Sequence, residues 1–153
     1  MLCAHPFLYF SLQSAKNIHG DKMVTKVLRC VVIFLFGGFA YGLLEVIWRG
    51  YTHISMVITG GGCFLILVKL FRKFPKLCLV SRFFISSAVI TAAEFIAGVL
   101  VNKILKLGVW DYSKCFMNFM GQVCLPFTLL WGILGAGFGY LTPFIERNFD
   151  KIK

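Results

Sequence analysis

Apolar residues gather along the chain into four blocks of helix-spanning length, Val27 to Trp48, Thr52 to Phe71, Leu79 to Val101 and Val123 to Thr142. A hydrocarbon layer about 30 Å thick is crossed by roughly 20 apolar residues at 1.5 Å each. The pattern therefore predicts an all-α, polytopic transmembrane helical bundle with four spans. Within the blocks, small and polar residues recur in steps of three and four. Gly38, Gly42, Glu45 and Arg49 form one such row, and Thr52, Ser55, Thr59 and Gly62 form a second. Ser87, Thr91, Glu94, Gly98 and Asn102 make the third, and Thr128, Gly132, Gly135, Gly139 and Thr142 the fourth. Residues at these spacings share a helical face, and small ones let helix backbones approach closely. The four rows are expected to point into the bundle, leaving Leu, Ile, Val and Phe to the lipid. Gly60, Gly61 and Gly62 stand in the middle of the second block, where a kink is expected.

Composition agrees with this reading: 59% of the 153 residues are hydrophobic and 14% are charged, against about a quarter charged in a soluble domain. The formal charge of +10 would suit a nucleic-acid partner, but its distribution suits a membrane. Twelve of the sixteen basic residues flank the first span, the connection between the second and third, and the end of the last. Arg49, Lys103, Lys106 and Lys114 alone fall on the other side. By the positive-inside rule both termini and the middle connection are cytoplasmic, so the partner is the lipid bilayer of the cell membrane and no nucleic acid is expected.

The first 22 residues fit neither a span nor a signal peptide, because Phe7 to Leu12 has no basic residue before it and no small-x-small site after it. They are expected to be poorly ordered or surface-lying, ahead of a single transmembrane domain over 23–153. Met23 opens a stretch, Met-Val-Thr-Lys-Val-Leu-Arg, that reads as a natural N-terminus.

The six cysteines form no C-x-x-C pair, and a metal site is not expected. Cys115 and Cys124 fall on the predicted outer side, where a disulfide between them is open. There is neither a G-x-x-x-x-G-K-[ST] loop nor a dinucleotide fingerprint, so no cofactor is expected and any ATPase must be a separate subunit. No nucleophile–base pair marks an enzyme.

Candidate chemistry rests on two acids inside apolar blocks. A charge at mid-bilayer costs about 2.5 to 3.5 kcal/mol on insertion scales, so Glu45 and Glu94 need an offset. Arg49 stands four residues after Glu45 on the same face, in the favourable acid-first order, and is expected to serve both acids as a buried triad. The connection Asn102 to Gln122 mixes Trp110, Tyr112, Phe116 and Phe119 with polar groups, as an interfacial lid would. Asp111, Asn118 and Gln122 are expected to reach down from it to the triad.

The ordered stretches Tyr41-Gly-Leu-Leu-Glu45-Val-Ile-Trp-Arg49-Gly-Tyr-Thr-His53-Ile-Ser-Met56, Ile90-Thr-Ala-Ala-Glu94-Phe-Ile-Ala-Gly98-Val-Leu-Val-Asn102, Val109-Trp-Asp-Tyr-Ser113, Asn118-Phe-Met-Gly121-Gln-Val-Cys-Leu-Pro-Phe127 and Trp131-Gly carry a resemblance. Together they resemble the CmpB-like family of type IV ABC transporters, small bacterial membrane proteins. The resemblance covers roughly residues 27 to 142 and implies a permease-like role. Glu45, Arg49, Glu94, Trp110, Asp111, Tyr112 and Asn118 match the family pattern, and His53, Asn102 and Gln122 join them as candidates for a substrate or ion site. The chain departs from the pattern after Arg49, where Thr-His-Ile-Ser-Met and three glycines replace a Gly-Pro turn and a Tyr-Gly.

Two functions remain open: a transporter or permease component with a polar site in the outer half of the bilayer, or a non-transporting scaffold or accessory subunit with a structural ion-pair network. Four short helices enclose little volume, which leaves room for a homo-oligomer or a partner membrane protein beside the separate ATPase. The basic asymmetry generates a direct expectation for topology. In intact cells, an impermeant thiol reagent should label a cysteine placed at Lys106 and spare one placed at Lys153; labelling at residue 153 from outside overturns the orientation.

Overall fold

The computed structural model describes the backbone of residues 6–150 and the side chains of residues 23–144. The chain divides into two units, Met1–Val32 and Ile33–Lys153. The first is helical from Pro6 onward; of the segment 1–22 expected to be poorly ordered or surface-lying, residues 1–5 and the side chains of the remainder lie outside the described residues. The side chains of Lys16, Lys22, Arg147, Lys151 and Lys153, invoked above for topology, lie outside them as well.

Among the described residues, four helices are long and apolar enough to cross a membrane. Helix α1 runs Pro6–Arg49, α2 Ile54–Lys73, α3 Leu79–Gly98 and α4 Leu125–Asp150. A π-helical turn, Val99–Ile104, prolongs α3, and a two-residue hairpin, β1 (Asn118–Phe119) with β2 (Val123–Cys124), precedes α4. The apolar spans are Met23–Arg49, Ile54–Lys73, Leu79–Ile104 and Leu125–Phe144.

Local chemistry explains the boundaries. Gly50 adopts φ +80 just after α1, a region open to glycine, and its N–H reaches the Val46 carbonyl at 2.8 Å. Helix α2 starts at Ile54 rather than Thr52 because extended His53 caps it, its Nδ1 accepting from the Ser55 N–H at 3.2 Å. Pro75 follows the end of α2. Pro126 sits in the first turn of α4, where its missing N–H is not needed.

The predicted interior rows hold for three helices. Gly38, Gly42 and Glu45 are buried on α1, Ser87, Glu94 and Gly98 on α3, and Gly132, Gly135, Gly139 and Thr142 on α4. On α2 the expectation fails. Its buried face carries Met56, Gly60, Gly61, Cys63, Phe64, Leu67, Val68 and Phe71, while Thr52 is exposed and Ser55 and Thr59 are only half-buried. The two hydroxyls are satisfied locally, Thr59 Oγ1 donating to the Ser55 carbonyl at 2.8 Å and Ser55 Oγ meeting His53 Nδ1 at 2.8 Å. They have no need to face inward. Nor do the glycines break the helix, since α2 is continuous through them. They serve approach instead: a Cβ on Gly61 would lie 2.6 Å from the Phe34 carbonyl oxygen of α1.

Helices α3 and α4 meet through a similar device. A Cβ on Gly135 would lie 2.2 Å from the Ser86 Cβ, so the two helices pack at a distance that glycine alone permits. Farther along this seam, Arg82 departs from its expected place among the basic residues at the cytoplasmic surface. It is buried, donating to the Gly139, Pro75 and Leu77 carbonyls, with its guanidinium over the Phe71 and Tyr140 rings at 5.2 and 5.5 Å. Pro143 explains one of these bonds. It lies four residues after Gly139 and lacks the N–H that would have closed the helix there, so the freed carbonyl goes to Arg82.

The close seam sets an expected contrast in stability. Gly135→Val should destabilise the bundle by about 1–3 kcal/mol through overpacking. Gly137→Val, where nothing lies within 4 Å of the added Cβ, should stay within about 0.5 kcal/mol. Thermal unfolding of both variants in detergent checks this, and equal losses would mean that α3 and α4 do not pack as described.

Candidate functional site

Each of the two buried acids has its own partner. Glu45 and Arg49 lie one turn apart on α1 and form an ion pair through Nη2 and Oε1. The second Glu45 oxygen accepts from the Thr52 hydroxyl, just past the end of the helix. Arg49 Nη1 donates to the Val109 carbonyl at 3.1 Å, and the guanidinium lies 5.1 Å from the centre of the Tyr51 ring. This pair ties α1 to the long connection that follows α3.

Glu94 sits deeper and is 1% exposed. It accepts a hydrogen bond from the Tyr41 hydroxyl, one turn before Glu45 on α1. Trp131 of α4 stacks on Tyr41 with ring centroids 4.8 Å apart, and its indole N–H faces the Glu94 carboxyl without closing a hydrogen bond. Below these rings is an apolar cavity of about 40 Å³ that reaches Gly60, Cys63 and Leu67.

The expected triad is therefore two pairs. The donors of Arg49 go to Glu45 and Val109, and among the described residues no hydrogen bond joins Arg49 to Glu94. The physical reason is reach along the helix: Glu45 and Thr52 both bind near Arg49, whereas Glu94 lies beside the preceding turn, where Tyr41 projects. Arg49 and Glu45 still act on Glu94 through their electric field.

The connection between α3 and α4 folds over this end of the bundle on a satisfied polar network. Asn102 Nδ2 donates to the Trp110 carbonyl at 3.0 Å and to Gln122 Oε1 at 2.9 Å, while its Oδ1 accepts from the Val109 N–H at 2.7 Å. The Trp110 indole N–H reaches the Gln122 carbonyl at 2.9 Å. Asn102 thus aims the Val109 carbonyl at Arg49. Tyr112 is buried, stacks on Phe127 at 4.8 Å, and burial pushes its phenol above the ordinary range.

Asp111 and Asn118 do not reach the acids. Asp111 is exposed, and its carboxyl is held below the usual aspartate range by the Ser113 N–H and hydroxyl that donate to it. Asn118 Nδ2 donates to the Ser113 and Cys115 carbonyls at 2.9 and 3.1 Å and shapes the turn. Their short side chains are spent on local turns before they can point inward. Gln122 is buried but closes the loop network rather than the acid pair. Phe116 and Phe119 are exposed, as interfacial residues are. Cys115 and Cys124 are free thiols. His53 caps α2 and stays at its start, with no hydrogen bond to Glu45 among the described residues.

Tyr41, Thr52 and Trp131 are the partners that the sequence reading did not assign to the acids. Tyr41 could have been found by its spacing, since it precedes Glu45 by one turn. Thr52 stood in a row assigned to the interior, and nothing in the spacing of Trp131 points to Glu94.

A family model described as "Putative ABC-transporter type IV" matches residues 32–153. No curated protein and no solved structure matches the chain.

Two pairs and one triad differ in their coupling. Double-mutant cycles on unfolding should give interaction energies of about 0.5–3 kcal/mol for Glu45→Gln with Arg49→Ala and for Tyr41→Phe with Glu94→Gln. The crossed cycle, Arg49→Ala with Glu94→Gln, should be smaller than either. A crossed term larger than both would restore the triad.

Proposed function

The chain belongs to the type IV ABC-transporter family whose model matches it, and from that premise we propose that it is the membrane-embedded component of a transporter. Its polar site is formed around Glu45, Arg49 and Glu94 at the end of the bundle covered by the Asn102–Gln122 connection. The observation that carries this reading is the pair of buried acids inside apolar spans, since intramembrane ionisable groups mark functional sites by default. Half-buried Arg49 and exposed Tyr51 give the site a face that a substrate can reach. Val109, Trp110 and Tyr112 roof it, and Asn102 and Gln122 hold the roof in place. His53 stands beside it, while Asp111 and Asn118 shape the rim.

The distribution of basic residues supports an outward-facing roof, with both termini in the cytoplasm and the chain in the cell membrane. A chain without a nucleotide-binding motif draws its energy from a separate ATPase subunit. The cavity beside Tyr41 and Trp131, about 40 Å³, is far below the volume of an ordinary ligand pocket. The larger polar pocket, about 580 Å³, is lined by the connection at Asn102, Trp110, Asp111, Asn118 and Gln122, so a path through the bundle itself calls for a second copy or a partner membrane protein.

The second reading is a scaffold or accessory subunit, and it has an observation of its own. The Asn102–Trp110–Gln122 network is satisfied internally, as a purely structural network would be. Reconstitution of the chain in liposomes with any ATPase encoded beside its gene separates the two. A transporter predicts ATPase activity that Arg49→Ala and Glu94→Gln lower at least several-fold, with Glu94→Gln unfolding at the wild-type temperature. Loss of stability as the sole defect, or a gene neighbourhood with no ATPase, supports the scaffold instead.

A further inference from the structure

Glu94 is the one buried acid whose needs are only half met. Glu45 has a cation and a hydroxyl, but among the described residues Tyr41 gives Glu94 its one well-formed hydrogen bond, and the Trp131 indole N–H stands near the carboxyl outside hydrogen-bond geometry. The carboxyl lies ten residues before the end of the third span at Ile104, roughly 15 Å into the bundle at 1.5 Å per residue. Beside it the Trp131 indole N–H is buried and has no acceptor, although Trp131 is 6% exposed and its ring faces the carboxyl. An unused donor next to an under-supplied acceptor is costly in hydrocarbon, where water cannot serve either group.

We propose that Glu94 is an exchangeable proton site, and that Trp131 is the donor held in reserve for its ionised form. With the proton on, one Glu94 oxygen accepts from Tyr41 and the other carries the proton, so the Trp131 N–H stands idle. With the proton off, the carboxylate takes both N–H and O–H. The step breaks one O–H bond of the carboxyl and passes one proton to water. The charge left behind is held by Tyr41 of α1 and Trp131 of α4, so release draws those helices toward α3.

Geometry restricts where the proton goes. Toward the roofed end, the Tyr41–Glu94 pair is followed by Glu45, Thr52 and Arg49. In the other direction the interior is Cys63, Phe64, Leu67 and Phe71 with the hydroxyls of Ser86 and Ser87, the latter taken by the Thr128 carbonyl, and it ends at the Arg82 clamp. The hydrogen-bonded polar groups lie toward the roofed side, and by the proposal the site gains and loses its proton from there. The charged groups that act on it are Glu45 and Arg49 from α1, and the titratable groups on which its own charge acts are Tyr41 from α1, Cys63 from α2, and Tyr112 and Cys124 from the connection. The proposal deepens the transporter reading and rests on it for the use made of the proton.

Infrared difference spectra of the full chain in lipid nanodiscs, with the glutamate carboxyls isotope-labelled, test this between acid and alkaline buffers. The expected result is a protonated-carboxyl band that is lost as pH rises, absent in Glu94→Gln and retained in Glu45→Gln. Tyr41→Phe should move its frequency, because it removes the donor that the protonated form uses, and Trp131→Phe should move the pH at which the band is lost upward, because it removes a donor that only the ionised form takes up. If Glu94→Gln fails to fold, the label and the two donor variants still decide the matter. A wild-type spectrum without such a band, a band that survives Glu94→Gln, or one unmoved by both donor variants overturns the proposal. Loss of the band with ATPase coupling intact sinks the proton site alone, whereas a titrating band in a chain that couples to no ATPase supports the site and sinks the transporter reading.

Discussion

Hydrocarbon offers no hydrogen bonds, so every polar group that enters the bundle must be matched by another part of the same protein. This constraint accounts for most of the structure's specific features. Arg82 is buried without a carboxylate bonded to it among the described residues, and it is held by three carbonyls and two rings. One of those carbonyls is free only because Pro143 cannot bond to it. At the other end, Glu45 gathers Arg49 and Thr52, and Arg49 in turn anchors the roof through Val109.

Such matching needs backbones that come close together. The glycines supply that closeness and so connect packing to chemistry. Where Gly98 lacks a side chain, Gln122 and Trp110 move against α3, which lets Asn102 assemble the network that positions the roof. On α4, Gly139 leaves room for the Arg82 guanidinium. A bulkier residue at either place would displace a polar contact as well as a helix.

The two ends of the bundle consequently differ in what they can do. One is clamped by a buried cation whose donors are taken up by backbone carbonyls, while the other carries an acid with a spare donor beside it.

The bundle itself was legible from the chain. Four apolar blocks set the spans, and the spacing of Gly38, Gly42, Glu45, Glu94, Gly98, Gly132 and Gly135 identified three of the four inner faces. Periodicity failed on α2, because Ser55 and Thr59 can satisfy their hydroxyls on their own backbone or neighbours, and a polar side chain so served can face lipid. The sequence also determined that Glu45 would meet Arg49, since a spacing of four places them together on any α-helix. Only the tertiary structure decided that Glu94 belongs to Tyr41 and Trp131, and that Asp111 and Asn118 stay in the loop. Those outcomes depend on the relative height and rotation of packed helices and on the course of a connection, which no local spacing encodes.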